Sequence, residues 1–264
     1  MNFTYYTIIG RDPSLLEGHL KNVTQYAGFE KLECEKKLLV IVYTNPSIPQ
    51  TTTDKILSTC KEYGAEPIIY QEPTTIFIDN LYACWNLGYN HALDGLVFRG
   101  GSDQVFSKDS FVSLYNDRLS CENDKVILQA NTVENADRNL GSRHIVASLG
   151  DTFESFNYGG FEGLCETINK EADKPLLTLE DSIRLWNKPT GFTSTLGQIN
   201  RTDGCSWLMT RKDWEEYGPL PVLENGVTGD VVIHDRFQRN GYESFIVRDC
   251  ITYHFVRGES KDIQ

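Results

Sequence analysis

The sequence lacks several features that would assign it to a specialised class of protein. No apolar run approaches the roughly 18 residues that a membrane helix needs, and no basic start or cleavage region precedes the first apolar segment. There is no low-complexity tract, no internal repeat and no long linker rich in Pro, Gly or Ser. These absences argue against membrane-spanning, fibrous and disordered proteins, and they predict one domain over residues 1–264.

Basic charge is scarce, and the cysteines are not paired in sequence. The seven cysteines are widely scattered and never form Cys-x-x-Cys, so we expect buried free thiols rather than disulfides or a zinc site. The 37 acidic residues outnumber the 25 basic ones and give a net charge of −12, which argues against non-specific nucleic-acid binding. A small phosphorylated ligand would need local cations, helix N-termini or a divalent metal ion.

Hydrophobic and aromatic residues are plentiful, at 40% and 11%, and can fill a substantial core. In the first hundred residues, predicted strands at 5–9, 38–43, 67–70 and 96–98 alternate with predicted helices at 15–26, 53–63 and 79–92. This order predicts a mostly parallel sheet with helices on both faces and a ligand site at the carboxyl ends of the strands.

The second half has a less regular pattern. Further strands are predicted around residues 126–130, 206–209 and 245–247, and a helix is predicted from about 228–230 to just before Asn240-Gly241. Residues 149–201 are predicted to form loops and short helices that cover a pocket.

A glycine-rich turn follows the fourth predicted strand and carries one carboxylate, in Arg99-Gly100-Gly101-Ser102-Asp103. Divalent cations such as Mg²⁺ or Mn²⁺ bind carboxylate oxygen together with substrate phosphate oxygens, so one or two acidic groups suffice. Asp103 is therefore a candidate metal ligand, and the alternative is an Asx-type turn that closes the strand. For Arg99 two roles stand open: neutralising phosphate or pairing with Asp103.

The order of these pieces resembles the GT-A fold glycosyltransferases, especially the family 2-like group. A helix of the form Asn-x-Gly-x-x-x-Ala, here residues 86–92, precedes a strand that ends in the family's metal-binding Asp-x-Asp. In this chain Gly101 replaces the first aspartate of that motif, whereas Asp103 keeps the second. Residues 204–219 are similar to the family's small-residue strand, its Arg and the turn that follows.

A later block extends the resemblance. The string Gly229-Asp230-(x)5-Arg236, followed by Gly241-Tyr242, resembles the family's Glu-Asp signature, with Gly229 where Glu is usual. His254 stands where many members place a late histidine. The match covers most of the chain outside residues 107–200, which we expect to shape the acceptor site.

The resemblance implies a fold and a role for each half of the chain. The implied fold is α/β, with a Rossmann-like, mostly parallel central sheet flanked by helices and an irregular acceptor-side region. Residues 1–106 would form the nucleotide-binding half, and residues 107–264 the acceptor-binding and catalytic half. The residues expected to contact the nucleotide sugar are Ile9, Gly10, Arg11, Asn45, Asp79, Asn80, Arg99, Gly101, Ser102 and Arg257.

The remaining site residues follow from the implied reaction. Asp103 and His254 would bind Mn²⁺ or Mg²⁺ on the donor diphosphate, where negative charge develops as the sugar leaves. Asp230 would take the proton of the attacking hydroxyl, and the competing interpretation is an aspartate that only caps a helix. Trp207 would stack on an acceptor sugar, whereas His234, one turn after Asp230, is expected to be a solvated histidine.

The implied activity is metal-dependent transfer of a sugar from a nucleoside-diphosphate sugar, most simply a UDP-sugar, to an acceptor hydroxyl with inversion. Two alternatives stay open: a sugar nucleotidyltransferase, and a non-catalytic protein that binds nucleotide sugars or glycans. The first normally has a longer glycine-rich, basic loop after its first strand than residues 10–13 provide. The lack of a stem or anchor in the sequence predicts a cytoplasmic enzyme of bacterial or viral type.

Overall fold

The computed structural model describes residues 1–9, 13–71, 77–135, 144–146, 148–186, 192–194, 197–199, 206–224 and 227–255. The chain is an α/β protein. Its strands are β1 (Asn2–Ile9), β2 (Lys36–Thr44), β3 (Glu66–Gln71), β4 (Gly95–Arg99), β5 (Gln104–Phe106), β6 (Val126–Asn135), β7 (His144–Val146), β8 (Leu176–Leu177), β9 (Phe192–Ser194), β10 (Gly197–Ile199), β11 (Trp207–Thr210), β12 (Leu223–Glu224), β13 (Val227–Thr228) and β14 (Glu243–His254).

The helices lie between these strands. They are α1 (Ser14–Lys21), α2 (Gln50–Glu62), α3 (Phe77–His91), α4 (Ser110–Ser120), α5 (Tyr158–Glu171), α6 (Leu179–Trp186), α7 (Arg211–Tyr217) and α8 (Gly229–Arg239). A π-helical turn continues α1 over Asn22–Tyr26. Within the described ranges, no helix combines the length and the apolar content that crossing a membrane requires.

The central sheet has the strand order β3-β2-β1-β4-β11-β6-β14-β5. Strand β1 pairs in parallel with β2 and β4, and β2 pairs in parallel with β3. Because β11 runs antiparallel to both β4 and β6, strand β6 and its parallel neighbour β14 point the same way as the first four strands. The carboxyl ends of β1 to β4, β6 and β14 therefore meet at one edge of the sheet, which we call the carboxyl edge.

Both faces of the sheet are buried because successive side chains of a strand point to opposite sides. In β2, Leu38 and Val40 belong to one core, whereas Leu39 and Ile41 belong to another. Side chains of α1, α2 and α4 complete the first core, and side chains of α3, α7 and α8 complete the second. Strands buried on both faces are typical of parallel sheets covered by helices.

Most predicted elements of the first hundred residues are confirmed, with strand ends shifted by one to three residues. One helix differs: the predicted helix at 15–26 ends as an α-helix at Lys21 and continues as the π-helical turn. The helix predicted from about residue 229 is α8, and it ends before Gly241, which has the positive φ of 79° that suits glycine.

The described part of region 107–200 is more regular than the sequence predicted. Strand β6 extends to Asn135 rather than ending near residue 130, and it lies inside the central sheet between β11 and β14. Helix α5, predicted to be part of a region of loops and short helices, has 14 residues and packs on β14 through Phe161 and Ile168. The region 107–200 therefore contributes a strand, β6, to the interior of the central sheet.

Candidate functional site at the carboxyl edge

Three ionisable side chains meet at the carboxyl edge. His254, the last residue of β14, lies between Glu134 of β6 and Asp103 of the turn that precedes β5. Its Nδ1 is 2.5 Å from Oε1 of Glu134, and its Nε2 is 2.9 Å from Oδ2 of Asp103. Strand pairing brings them together, because His254 is the register partner of Glu134 on one side and of Gln104 on the other.

The three side chains differ in their access to solvent. The side chain of Glu134 is fully buried, whereas those of His254 and Asp103 are 12% and 20% exposed. A ligand that arrives from solvent therefore reaches Asp103 and the Nε2 side of His254, and Glu134 lies behind them. We call these three residues the edge triad.

The turn that carries Asp103 is fixed by hydrogen bonds at both ends. The Gly101 amide donates to Oε1 of Gln104 over 2.7 Å, and the Ser206 hydroxyl donates to the same oxygen over 2.9 Å. The carbonyl oxygen of Asp103 accepts from the amide of Phe255 over 2.9 Å. The position of the carboxylate is thus determined by β5, by the segment before β11 and by the end of β14.

A second histidine, His19, is buried and contacts the backbone at the end of the same turn. In α1, His19 contacts the hydroxyl of Tyr5 through Nε2 over 2.8 Å and the backbone carbonyl of Gln104 through Nδ1 over 3.0 Å. Burial lowers the pKa of His19 to about 4, so the ring is neutral near pH 7. A neutral ring that donates from Nδ1 to the carbonyl accepts at Nε2 from the Tyr5 hydroxyl, which satisfies both nitrogens.

Gly101, which replaces the first acid of the family motif, leaves room for the carboxylate of Asp103. A Cβ atom at position 101 would lie 2.5 Å from Oδ1 of Asp103. Any larger residue at that position would push this carboxylate away from its present place. The turn that contains Gly101 therefore has room for the carboxylate of Asp103, but not for a second side chain at position 101, in this geometry.

Asp230 lies in the first turn of α8 and is 8% exposed. Its Oδ1 accepts a hydrogen bond of 2.8 Å from the hydroxyl of Tyr82 in α3. The N-cap position belongs to Thr228, so Asp230 is not the N-cap residue of this helix. Gly229, where the family has Glu, is crowded: a Cβ atom there would lie 1.9 Å from the carbonyl oxygen of Pro221.

The structure places Arg99 inside the second core. Its side chain is 1% exposed, and its guanidinium carbon lies 3.7 Å from the ring centroid of Trp85 and 4.3 Å from that of Trp207. In this position it forms cation–π contacts inside the second core. Asp103 contacts His254 over 2.9 Å, and the two roles expected for Arg99 stay predictions.

Trp207 and His234 lie side by side, and His234 differs from its prediction. Trp207 is 1% exposed, and its stacking on an acceptor sugar stays a prediction. It packs on the imidazole of His234 with ring centroids 4.1 Å apart and an angle of 14° between the ring planes. His234 is therefore buried rather than solvated, because α8 lays it against β11.

The expected nucleotide contacts are only partly within the described residues. Ile9 is buried at the end of β1, and Asn45 after β2 accepts hydrogen bonds from the amide and hydroxyl of Ser47. Asn80 is buried in α3 and accepts from the hydroxyl of Tyr70 over 3.1 Å. Ser102 is half-buried in the turn beside Asp103. Gly10, Arg11, Arg257 and the side chain of Asp79 lie outside the described residues.

Two residues of the site were absent from the sequence-based prediction. Glu134 lies in the polar continuation of β6, after the apolar run that marked the strand, and Val133 is the one apolar residue between Ala130 and the end of the strand, so the sequence carries little signal of that extension. Tyr82 lies on the amphipathic α3, where an aromatic residue is typical of a core, and nothing in the sequence links it to Asp230.

The edge triad offers two ligands for a metal ion. Among the described residues, no group of three or more His, Cys, Asp and Glu side chains converges on one point that could hold a metal. Oδ2 of Asp103 and Nε2 of His254 are 2.9 Å apart, and neighbouring ligands of an octahedral ion with bonds of about 2.1 Å lie about 3.0 Å apart. These two atoms are the groups of the edge triad that would hold a divalent ion.

Comparison with solved structures identifies the fold. The chain matches GalNAc-T7, whose crystal structure contains UDP, GalNAc and Mn²⁺, with a TM-score of 0.60 and 11% sequence identity. The match covers 98% of this chain and 44% of GalNAc-T7. The chain also matches the mannosyltransferase PcManGT from Pyrobaculum calidifontis in complex with GDP-Man and Mn²⁺, over 97% of this chain and 57% of that protein, with a TM-score of 0.54 and 12% identity.

A third match is S. aureus TarS 1-349 in complex with UDP, over 99% of this chain and 62% of the other, with a TM-score of 0.55 and 12% identity. The chain spans about half the length of the solved structures it matches. No protein-family model and no curated protein sequence matches it. The chain therefore has the fold of the GT-A glycosyltransferases, which confirms the predicted fold class.

Proposed function

We propose that this protein is a metal-dependent glycosyltransferase that uses a nucleoside-diphosphate sugar. The single observation that carries the proposal is the contact between Asp103 and His254 at the carboxyl edge of a GT-A sheet. A carboxylate and an imidazole in this place, with a spacing suited to an octahedral cation, are the groups that such an enzyme needs to hold Mn²⁺ or Mg²⁺ on a diphosphate.

The roles of the residues follow from the charge that develops in the reaction. When bound, a divalent ion would offset the negative charge on the leaving diphosphate. Asp103 and the Nε2 atom of His254 are the protein groups that would hold it. The turn around Gly101 keeps this pair in place through Gln104 and Phe255, so that little reorganisation is needed during reaction.

Asp230 is the proposed general base. It is mostly buried, lies in the first turn of α8 and is oriented by Tyr82, which suits a carboxylate that must accept a proton in a defined direction. A base that activates the attacking hydroxyl in a direct displacement implies inversion at the anomeric carbon. The acceptor hydroxyl belongs to a glycan or another molecule that enters on this side.

The proposed donor is a UDP-sugar. Two of the three solved structures compared above contain UDP, and one contains GDP-Man. Asn45 at the end of β2 is the described residue that we propose for the edge of the base, with Ile9 beside it at the end of β1. Asn80 and Ser102 complete the described part of the proposed nucleotide site.

The test is hydrolysis of a panel of UDP- and GDP-sugars by the wild-type protein with Mn²⁺, with Mg²⁺ and with chelator. We expect release of the nucleoside diphosphate from one class of donor only when a divalent ion is present. Once an acceptor is found, NMR of the first-formed product should show the inverted anomer. Tight donor binding without hydrolysis or transfer would instead indicate a binding protein, and release of pyrophosphate from a nucleoside triphosphate would indicate a nucleotidyltransferase.

A further inference from the structure

Glu134 is an unusual residue for its location. Its side chain is fully buried near the carboxyl end of β6, an internal strand of the sheet, where an apolar residue would normally lie. Burying a carboxylate is costly unless it is paired and hydrogen-bonded. The carboxylate of Glu134 contacts the imidazole of His254, with Oε1 and Nδ1 2.5 Å apart.

This contact determines which nitrogen of His254 faces the site. A histidine that binds a metal through one ring nitrogen normally donates the N–H of the other to a carboxylate or carbonyl, and Glu134 lies where Nδ1 would donate. The other nitrogen, Nε2, then points to Asp103 at 2.9 Å, on the solvent-accessible side of the edge triad. A ring held in this way presents the lone pair of Nε2 to a cation once the proton between Nε2 and Asp103 is displaced.

We propose that Glu134 is a positioning residue that fixes His254 in the tautomer whose Nε2 binds metal. The proposal rests on the proposed function, because it assigns Glu134 a role toward the same divalent ion. Carboxylates behind a ligating histidine orient the ring and increase its basicity, and their loss typically lowers metal affinity by about 10- to 100-fold. Glu134 meets this description without being a ligand itself.

The decisive substitution is Glu134→Gln. Glutamine has the same shape, but it has no charge, and its amide can turn its N–H group toward Nδ1. That N–H group cannot accept a hydrogen bond from Nδ1, and the amide oxygen accepts less strongly than a carboxylate, so the ring loses the partner that keeps a proton on Nδ1 when Nε2 binds metal. Glu243→Gln is a matched control, because Glu243 lies at the opposite end of the same β6–β14 pair and its side chain contacts Asn123 on the surface.

The measurement is the dissociation constant of Mn²⁺ with UDP present, obtained from the EPR signal of free Mn²⁺. We expect Glu134→Gln to weaken Mn²⁺ binding about 10- to 100-fold, with Glu243→Gln like wild type and circular dichroism unchanged. Asp103→Asn separates the two proposals. If wild type binds Mn²⁺ and Asp103→Asn does not, but Glu134→Gln binds like wild type, the role of Glu134 is overturned and the proposed function stands.

If wild type itself binds no Mn²⁺ with UDP, both proposals fall. A second measurement does not require the variant to fold: long-range ¹H–¹⁵N spectra of the wild-type protein with ¹⁵N-labelled histidine. We expect a proton on Nδ1 of His254, assigned by the loss of its signals in His254→Gln. An Nδ1 without a proton would overturn the role of Glu134, whatever the variants show.

Discussion

The hydroxyl of Tyr82 donates a 2.8 Å hydrogen bond to Oδ1 of Asp230 and so links α3 to the first turn of α8. Burial and the carboxylate of Asp230 raise the pKa of Tyr82, so the hydroxyl keeps its proton and remains a donor at neutral pH. A carboxylate held in this way has a defined direction, which is what a general base requires.

We expect Asp230→Asn to reduce turnover by about 10²- to 10⁴-fold while the affinity for UDP and Mn²⁺ stays unchanged. Asparagine keeps the shape of the side chain but cannot accept the proton. Asp235→Asn, in the same helix and in a surface ion pair with Arg239, is the control and should retain full activity. Steady-state kinetics and calorimetry together check this expectation, and full activity of Asp230→Asn would remove Asp230 from the mechanism.

Tyr82→Phe should lower turnover by about 10-fold and leave donor affinity unchanged, because one oxygen of Asp230 loses the hydrogen bond that orients it. Tyr26→Phe is a matched control: it also removes a bond from tyrosine to carboxylate, 2.9 Å long, but to Glu162 at an exposed position. The measurement is kcat of Tyr82→Phe and of Tyr26→Phe, each relative to wild type. An equal decrease in both variants would show that Tyr82 does not position Asp230.

The elements that the sequence predicted well are those with strong local signals. Strands β1 to β4 are continuous apolar runs, and α2 and α3 separate them with helical periodicity, so their order indicated a parallel sheet. The end of α8 was marked by Gly241, whose positive φ only glycine adopts easily. Asp103 was proposed as a metal ligand because it lies in a glycine-rich turn after a buried strand, and this role stays a prediction.

The features that the sequence could not predict depend on distant partners. Glu134 and His254 are 120 residues apart in the chain, and their contact follows from the register of β6 with β14. Arg99 precedes two glycines and therefore suggested an accessible loop. Its actual place inside the second core depends on its pairing with Trp207 in β11 and on the packing of Trp85 from α3.

Gly101→Ala should weaken the binding of UDP with Mn²⁺ by about 10-fold, because its Cβ atom would lie 2.5 Å from Oδ1 of Asp103 and displace this carboxylate from His254. Gly163→Ala in α5, where a Cβ atom meets nothing within 4 Å, is the control and should not change binding. Calorimetric titration of both proteins tests this. Equal affinity would mean that the turn accepts a side chain at 101 at no cost to the site.

The buried His19 should make stability depend on pH. Its pKa is about 4 in the folded protein, below the ordinary 6.5, so between these values the unfolded chain binds a proton that the folded protein does not. The contribution of a neutral His19 is complete above pH 6.5 and is lost as the pH falls toward 4, by about 3 kcal/mol in total.

Urea unfolding of wild type and His19→Gln at several pH values checks this prediction. The variant loses the buried ring and is less stable at pH 7, but the free-energy difference between the two proteins should shrink as the pH falls from 6.5 to 4. A difference that stays constant over this range would contradict the assignment of His19 as a buried neutral histidine.

The most direct test of the central claim is calorimetric titration of UDP with Mn²⁺ into wild type, Asp103→Asn and Asp109→Asn. Asp109 is a matched control, because it forms an exposed ion pair with Lys31 and its positive φ of 57° is one that asparagine tolerates. We expect Mn²⁺ to increase UDP affinity in wild type and Asp109→Asn, and Asp103→Asn to lose this increase, by about 10²-fold. Equal, Mn²⁺-dependent affinity in all three proteins would contradict a metal site at Asp103, and with it the metal-dependent glycosyltransferase proposed for this chain.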